Sequence, residues 1–255
     1  MMRQLRMTWF QIRQYVSVPY FIQMMAFSTA GVTILQVLAY RAWGGDPRTM
    51  WMRAGIIGVW TTSTSAAGIL GFERYKGTLV HLVSARINPL RALAAVVSAA
   101  ATFGLAAIPL AWVVWSLATW STGGLGVVSV GGLLRGSFGI ILLWASCLSI
   151  TFVVAGLFVL TPNAIAYEEL LLQPVLVLSG ILFTQQRPPA VVDWFAYLIP
   201  FALPARVLLT GVNGTALVFD VVWAVASSVA WFVAAGLAGR SVLLRVRKTA
   251  TLEVI

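Results

Sequence analysis

Charged residues are scarce in this chain of 255 residues. Asp, Glu, Lys and Arg together make up 9% of the sequence, whereas hydrophobic residues make up 60%. Soluble domains carry about 25% charged residues, which cover the surface that faces water. The composition therefore excludes an ordinary soluble domain. Apolar runs recur along the whole length with no long polar stretch between them, so we predict one membrane domain over residues 1–255.

Three residue types that carry much of protein chemistry are almost missing. Cys147 is the one cysteine, so no disulfide forms within the chain, and its expected role is that of a small core residue. His81 is the one histidine, which excludes a histidine-based metal site or a Ser-His dyad in the membrane. Neither lysine, Lys76 or Lys248, stands in a Gly-x-x-x-x-Gly-Lys-Ser/Thr loop that holds nucleotide phosphates. We therefore predict no catalytic residue, metal site or cofactor in this chain.

Positive charge is in excess, with a formal net charge of +10. The basic residues stand in short clusters beside apolar runs, which indicates the positive-inside rule of membrane proteins and not a nucleic-acid partner. With the N-terminus inside, most of them fall in cytoplasmic segments: Arg3, Arg6, Arg13, Arg74, Lys76, Arg86, Arg91, Arg240, Arg245, Arg247 and Lys248. The others fall outside: Arg41, Arg48, Arg53, Arg135, Arg187 and Arg206. Both termini are therefore predicted to be cytoplasmic.

The apolar runs predict an all-α membrane protein with six transmembrane helices, because about 20 apolar residues cross the hydrocarbon. The predicted spans cover residues 18–40, 49–72, 90–119, 135–160, 165–185 and 215–244. The first run is too long for the apolar part of a cleavable signal peptide and is expected to stay as a span. Ahead of it, one side of a helix would carry Leu5, Trp9, Ile12 and Val16. This pattern predicts an amphipathic interfacial helix over residues 1–17, lying in the headgroup plane.

Between the fifth and sixth predicted spans, prolines interrupt apolar stretches that are too short to cross the bilayer. They are Pro188, Pro189, Pro200 and Pro204. Proline removes a backbone donor and ends or kinks a helix. Irregular backbone at membrane depth is tolerated only where protein or water surrounds it. We therefore predict that residues 187–210 form an external re-entrant helical hairpin before the last span.

Residues 73–89, between the second and third predicted spans, contain the pattern of a short cytoplasmic helix. Thr78 can cap it, and Asn88-Pro89 would end it. The spacing i, i+3, i+4 and i+7 gives an apolar ridge rimmed by charge, formed by Leu79, Leu82, Val83 and Arg86. A helix this short is marginal alone and needs a surface to dock on. The pattern by itself leaves a solvated connecting loop equally open.

Two strings far apart in the chain resemble ABC-2 type transporter permeases. The first is similar to the family's cytoplasmic coupling-helix loop: Glu73-Arg74, Gly77-Thr78-Leu79, Leu82, Ser84 and Pro89. The second resembles its fifth span and the external re-entrant segment: Leu178-Ser179-Gly180, Phe183, Pro188-Pro189, Trp194, Pro200 and Arg206. With the amphipathic N-terminal helix and six spans in the same order, the resemblance covers nearly the whole chain. Family members often carry an acidic residue just after Gly-Thr-Leu, where this chain has Val80.

The resemblance implies the permease subunit of an ATP-driven exporter that moves an amphipathic cargo out of the cytoplasm by alternating access. ATP and Mg²⁺ would be bound by a partner ATPase in two copies, and a second permease, identical or related, would complete the pathway. The protein would be a multi-pass protein of a bacterial plasma (cell) membrane, in contact with membrane lipid. The residues that the resemblance assigns to coupling with the ATPase are Glu73, Arg74, Gly77, Thr78, Leu79, Leu82, Val83 and Arg86.

The seam between the two permeases is expected along the first and fifth spans, because these helices line it in the family. The expected seam residues are Met24, Met25, Phe27, Leu178, Ile181 and Phe183. Flexible Met and flat aromatic side chains suit a contact that parts and reseals. Within the hydroxyl run at 61–65, the candidates to line the transport path are Thr61, Thr62 and Ser65. Hydroxyls bonded to their own helix, used only for packing, are the alternative.

Acidic residues leave one further alternative open. Glu168 and Glu169 stand at the start of the fifth predicted span, and Asp220 lies near the start of the sixth. Acids inside a membrane are functional candidates because burying them is costly. A proton relay in an ion- or proton-coupled carrier therefore competes with a structural pairing role. The lack of paired broken helices counts against the carrier, and the lack of a catalytic constellation counts against a membrane enzyme acting on lipid.

Overall fold

The computed structural model describes residues 2–75, 89–120, 130–160, 164–183, 189–210 and 214–249, which contain helices and no strand. The helices are α1 (Met2–Ser17), α2 (Pro19–Trp43), α3 (Pro47–Tyr75), α4 (Pro89–Gly104), α5 (Ala107–Thr119), α6 (Val130–Leu160), α7 (Ala164–Leu178), α8 (Ala190–Leu198), α9 (Ala202–Thr210) and α10 (Thr215–Thr249). The predicted all-α architecture is confirmed for these residues.

Within the described residues, four helical segments are long and apolar enough to cross a membrane. They are Pro19–Trp43, Ala94–Thr119, Gly136–Phe158 and Thr215–Gly239. A fifth crossing results if the bent pair α8 and α9 is one broken span. Several long apolar helices thus fit a membrane protein, whereas the predicted number of six spans is not confirmed.

The second predicted span corresponds to α3, which is not among these four segments. It has 29 residues, about 43 Å at 1.5 Å per residue, so its length exceeds the hydrocarbon thickness of about 30 Å. The side chains of its last ten residues, 66–75, lie outside the described part of the chain, so the four segments do not decide whether α3 crosses the membrane. Its start is fixed locally, because the Asp46 carboxylate accepts hydrogen bonds from the backbone N–H groups of Arg48 and Thr49, at 3.3 and 3.1 Å.

The fifth predicted span, residues 165–185, is shorter in the structure. α7 ends at Leu178 after 15 residues, about 22 Å, which is less than the hydrocarbon thickness. Two neighbouring residues end it. The Ser179 hydroxyl donates to the Leu176 carbonyl at 2.6 Å, and Gly180 adopts a φ of 77°, where a residue with a side chain would be strained.

The third predicted span, residues 90–119, is not one continuous helix. α4 ends at Gly104 and α5 begins at Ala107, with turn bonds from Leu105 N–H to the Thr102 carbonyl and from Ala106 N–H to the Phe103 carbonyl. Pro109 has no N–H to pair with the Leu105 carbonyl, which instead accepts from Ile108 at 3.2 Å. The proline, near the middle of an apolar run, thus explains the break.

α3 and α6 form the centre of the bundle. α3 packs against α2, α4, α5 and α6, and α6 also packs against α9 and α10. Large side chains fill this interior, among them Ile56, Leu143 and Ile150, which are almost fully buried. The rings of Trp60 and Phe201 stack with centroids 4.3 Å apart, which joins α3 to the start of α9.

At Gly58, α3 lies close to α2 and α5. A Cβ atom there would lie 2.5 Å from Thr29 Oγ1 of α2 and 2.8 Å from Ala107 Cβ of α5. Neither neighbour is the end of a long flexible side chain, so only glycine fits. Small residues that let helix backbones approach closely are typical of membrane bundles.

The two outer helices, α2 and α10, each contact the bundle through one narrow stripe of buried residues. The buried residues of α2 recur at four-residue spacing: Met25, Thr29, Thr33 and Val37. Those of the described part of α10 do the same: Asp220, Ala224 and Ser228. Four-residue spacing follows one side of a helix, so most of each outer helix faces away from the protein.

The N-terminal helix α1 runs side by side with α4. Near its start, Gln4 Nε2 donates to the Arg91 carbonyl at 2.8 Å, and near its end the rings of Tyr15 and Phe103 stack at 5.8 Å. The apolar side predicted from sequence is mainly exposed, with Leu5 and Trp9 both 68% exposed. The helix itself agrees with the sequence, and its place in the headgroup plane stays a prediction.

Candidate functional site

Polar groups from four parts of the chain meet at one end of the bundle. Three contacts define this polar end: Arg53 Nη2 to the Phe183 carbonyl at 3.4 Å, Thr49 Oγ1 to the Leu209 carbonyl at 3.4 Å, and Arg206 Nε to Asp220 Oδ2 at 3.5 Å. They connect α3, the turn after α7, α9 and the start of α10. The polar end is therefore where the long helices meet the short bent ones.

Arg53 is the unusual residue of the polar end. Its residue exposure is 3%, whereas the other arginines whose side chains the structure describes are exposed. Its Nη2 makes the 3.4 Å bond to the Phe183 carbonyl, and its Nε is buried without a partner among the described residues. A guanidinium has five N–H donors and is always charged. Burial without a counter-ion is costly, so Arg53 is a candidate for contact with an anion.

Asp220 and Arg206 form an ion pair that holds α9 to α10. The Asp220 side chain is 3% exposed and that of Arg206 is 45% exposed. The separation of 3.5 Å permits attraction, although Asp220 Oδ2 has no hydrogen-bond partner by distance and angle. The structure thus gives Asp220 a pairing role, one of the two alternatives that the sequence left open.

The segment predicted as a re-entrant hairpin contains two short helices, α8 and α9, bent by 114°. Both are bound to the last helix. Trp223 Nε1 donates to the Tyr197 carbonyl at 2.8 Å, and Trp231 Nε1 donates to the Leu198 carbonyl at 3.1 Å. The indoles thereby satisfy carbonyl groups at the end of α8, which a helix leaves without intrahelical donors. Hydrogen bonds from α10 thus stabilise the bend.

The hydroxyl run of α3 lies mainly inside the bundle. Thr61 and Ser65 are half-buried and bond to their own helix, at the Gly58 and Thr62 carbonyls. Thr62 and Ser63 are buried, and neither hydroxyl has a partner within the described part of the chain. Packing inside one subunit accounts for the placement of Thr62, and a lining role for Thr61 and Ser65 stays a prediction.

The predicted seam residues divide into exposed and buried ones. Phe27 is 77% exposed, whereas Met25 and Ile181 are 7% and 4% exposed within this chain. The half-buried ones are Met24, Leu178 and Phe183. Phe27 is therefore the seam residue best placed to meet another subunit.

Most of the predicted coupling segment lies outside the described residues, including Gly77, Thr78, Leu79, Leu82, Val83 and Arg86. Glu73 and Arg74 belong to the last turn of α3, and Glu168 and Glu169 belong to α7, but the structure describes none of these four side chains.

Sequence reasoning missed three features of this site. It counted Arg53 as an outside charge although the residue lies within the predicted span 49–72, and that position is the signal for a buried arginine. It also missed the pairing of Asp220 with Arg206 and the 2.9 Å bond between the Ser146 and Ser228 hydroxyls. The four-residue repeat of small or polar residues at 220, 224 and 228 indicates that contact face.

The described residues contain no group of three or more His, Cys, Asp and Glu side chains placed to hold a metal ion. Comparisons of the chain with protein-family models, curated proteins and solved structures gave no match.

Proposed function

We propose that this chain is the membrane-spanning permease subunit of an ATP-driven ABC-2 type exporter in a bacterial plasma membrane. A separate ATPase in two copies supplies the energy, and two permeases enclose the pathway for an amphipathic cargo. The support comes from the two sequence strings and from the order of the helices. An exposed amphipathic helix comes first, and two short bent helices come directly before the last long helix.

The observation that carries the proposal is the 114° bend between α8 and α9, anchored to α10 by Trp223 and Trp231. It falls in the segment where the resemblance expects the external re-entrant element. The segment expected to couple to the ATPase, residues 73–89, includes the last turn of α3. α3 runs from there to the polar end, where it contacts the turn after α7 and α9. Closure of the ATPase can therefore act on the external end through one helix.

Coupling is tested with the complex of this chain and its ATPase, reconstituted in lipid nanodiscs. Leu82→Asp places a charge on the predicted apolar ridge and should abolish co-purification and stimulation of ATP hydrolysis. His81→Asp, off the ridge, is the matched control and should retain both. Unchanged coupling in Leu82→Asp, or no ATPase that co-purifies with the unaltered chain, would refute the proposal.

The external position of the bent pair is tested by labelling single cysteines in a Cys147→Ala background. Trp194→Cys, at a residue 68% exposed in α8, should react with an impermeant maleimide from outside the cell. Trp9→Cys, at an equally exposed residue of α1, should react only after the membrane is opened. The reverse pattern would contradict the proposed orientation.

The permease seam is tested by cross-linking. Phe27→Cys in α2 should give a disulfide-linked dimer, either of this chain or with a related permease, and the partner found distinguishes a homodimer from a heterodimer. Val233→Cys, at a residue 56% exposed on α10, is the control and should stay monomeric. A dimer through position 233 and none through 27 would place the seam elsewhere.

An ion- or proton-coupled carrier is the second candidate, favoured by the break at Leu105 and Ala106 between α4 and α5. Broken helices at membrane depth often form ion sites in such carriers. The two candidates differ in their energy source. Transport that persists without the ATPase and stops with a protonophore would select the carrier.

A further inference from the structure

Arg53 is buried inside the bundle, and the described part of the chain offers it no carboxylate partner. Asp46 caps α3 through Thr49, Asp193 is exposed on α8, and Asp220 pairs with Arg206. Glu73 lies on the same helix but 20 residues away, about 30 Å along its axis. The charge of Arg53 is therefore not compensated by these residues.

The position of Arg53 favours a ligand inside the protein over the surrounding lipid. It lies about 9 Å along α3 from Pro47. At 3% exposure it faces the turn that follows α7 and not the outer surface of the bundle. Its one described bond is long, at 3.4 Å, so the guanidinium is held weakly and keeps an unpartnered Nε. A carboxylate or phosphate matches the planar N–H fork of arginine far better than a single carbonyl does.

We propose that Arg53 binds the anionic head group, a phosphate or carboxylate, of an amphiphilic molecule at the polar end of the bundle, which is the external end of the pathway in the proposed orientation. This deepens the proposed export function, since it makes the cargo an anionic amphiphile. On binding, the Arg53 guanidinium exchanges its hydrogen-bond partner, because it leaves the Phe183 carbonyl and binds the anionic oxygens. The same exchange releases the turn after α7 from α3, so that binding of the head group and movement of that turn are linked.

The test uses the purified full-length chain in nanodiscs of phosphatidylcholine and follows its tryptophan fluorescence. Dodecyl phosphate and laurate should bind at least about tenfold more tightly than dodecyltrimethylammonium, which has the same chain length and the opposite charge. Arg53→Gln should lose this preference and Arg53→Lys should keep part of it. Arg48→Gln, which removes an exposed arginine of the same helix, should bind like the unaltered chain.

Further measurements in the same binding assay identify the source of the anion. Inorganic phosphate that competes as well as dodecyl phosphate would overturn the amphiphile part of the proposal. Loss of dodecyl phosphate binding when the nanodiscs contain phosphatidylglycerol would assign the site to a lipid head group, whereas unchanged binding supports a cargo. Arg53→Gln removes an uncompensated buried charge and should fold, and Arg53→Met is a second variant of similar size if it does not.

The anion site at Arg53 and the exporter function are refuted by different results. If both amphiphile charges bind equally, or if Arg53→Gln binds dodecyl phosphate as the unaltered chain does, the Arg53 site is wrong even where the ATPase couples. If dodecyl phosphate binds through Arg53 but no ATPase couples through Leu82, the anion site stands and the exporter does not.

Discussion

The segment Ala94–Thr119, made of α4 and α5, and the segment Thr215–Gly239 of α10 each contain an 18-residue window with a mean hydropathy of 1.9, yet 50% of the first window is buried and only 17% of the second. In water, equal apolar character would indicate similar burial. In lipid it does not, because the acyl chains are as apolar as a protein core. What differs is the placement of each segment: the buried face of the first combines small residues, among them Ala99 and Ala107, with large ones such as Trp115, whereas most of α10, including Phe219 and Leu237, faces away from the protein. Mean hydropathy alone therefore does not indicate the protein-facing side.

The strongest test of this comparison removes the charge that holds α10. Arg206→Gln leaves the Asp220 carboxylate buried without a counter-ion and should lower the free energy of unfolding by about 3 kcal/mol, at the low end for a broken buried pair because Arg206 is half exposed. Asp220→Asn leaves only an exposed arginine and should cost less. Reversible SDS unfolding in mixed micelles measures both. Equal losses in the two variants would show that the pair does not anchor α10.

The next effect concerns the close helix approach at Gly58, which contacts Ala107 of the more buried segment. Gly58→Ala places a methyl group where Thr29 and Ala107 leave no space and should cost about 2 kcal/mol, since overpacking a rigid site costs about 1–3 kcal/mol. Gly236→Ala in α10 meets nothing within 4 Å and should be neutral or slightly stabilising. The same unfolding assay compares the two. A neutral Gly58→Ala would mean that the helices there can separate freely.

A smaller loss of unfolding free energy is expected for a substitution in the narrow stripe of α10. Ser228→Ala removes the 2.9 Å bond to Ser146 of α6 and should cost about 0.6 kcal/mol, the average for hydrogen bonds between membrane helices. Ser227, one residue away, bonds to the Ala224 carbonyl of its own helix. Ser227→Ala should therefore cost less than Ser228→Ala. Because the Ser146 hydroxyl also donates to the Leu142 carbonyl of its own helix, Ser146→Ala should cost less in the Ser228→Ala background than alone, and full additivity would contradict the pairing.

The smallest effect is expected on the exposed side of α10. Leu237 is 62% exposed, and Leu237→Ala should change the unfolding free energy by less than about 0.5 kcal/mol, the range of surface substitutions. Leu143, which is fully buried in α6, is the matched control, and its change to alanine should cost about 2–5 kcal/mol. Comparable losses at both positions would show that a second subunit, and not lipid, covers position 237.

The sequence predicted the ends of a helix well where residues at those ends determine them. The apolar run predicted at 18–40 is α2, Pro19–Trp43, because Pro19 suits the first turn and a polar segment follows. The spans predicted at 90–119 and 165–185 were altered by single residues inside apolar runs, Pro109 and Gly180. Hydropathy averaged over a window does not register one such residue.

The candidate site was harder to predict for a different reason. Arg53 with Phe183, and Arg206 with Asp220, are pairs that depend on how each helix is rotated about its axis. Charge counting assigns a side of the membrane and says nothing about rotation. A residue's place within a span is visible in the sequence, so a buried Arg53 was predictable, whereas its partner required the packed structure.

The single stripe that holds α10 also has a consequence for how the protein is made. The ribosome synthesises α10 after Arg206 of α9 and Ser146 of α6. On translocon scales an aspartate at the centre of an isolated helix costs about 3 kcal/mol to insert, and Asp220, near the start of α10, costs less than this. Asp220 therefore leaves the translocon when its counter-ion has already been synthesised, so that α10 has a partner for docking along Asp220, Ala224 and Ser228. A chain truncated before residue 215 would leave Arg206 unpaired and the end of α8 without its indole donors, a state that membrane quality-control proteases can recognise.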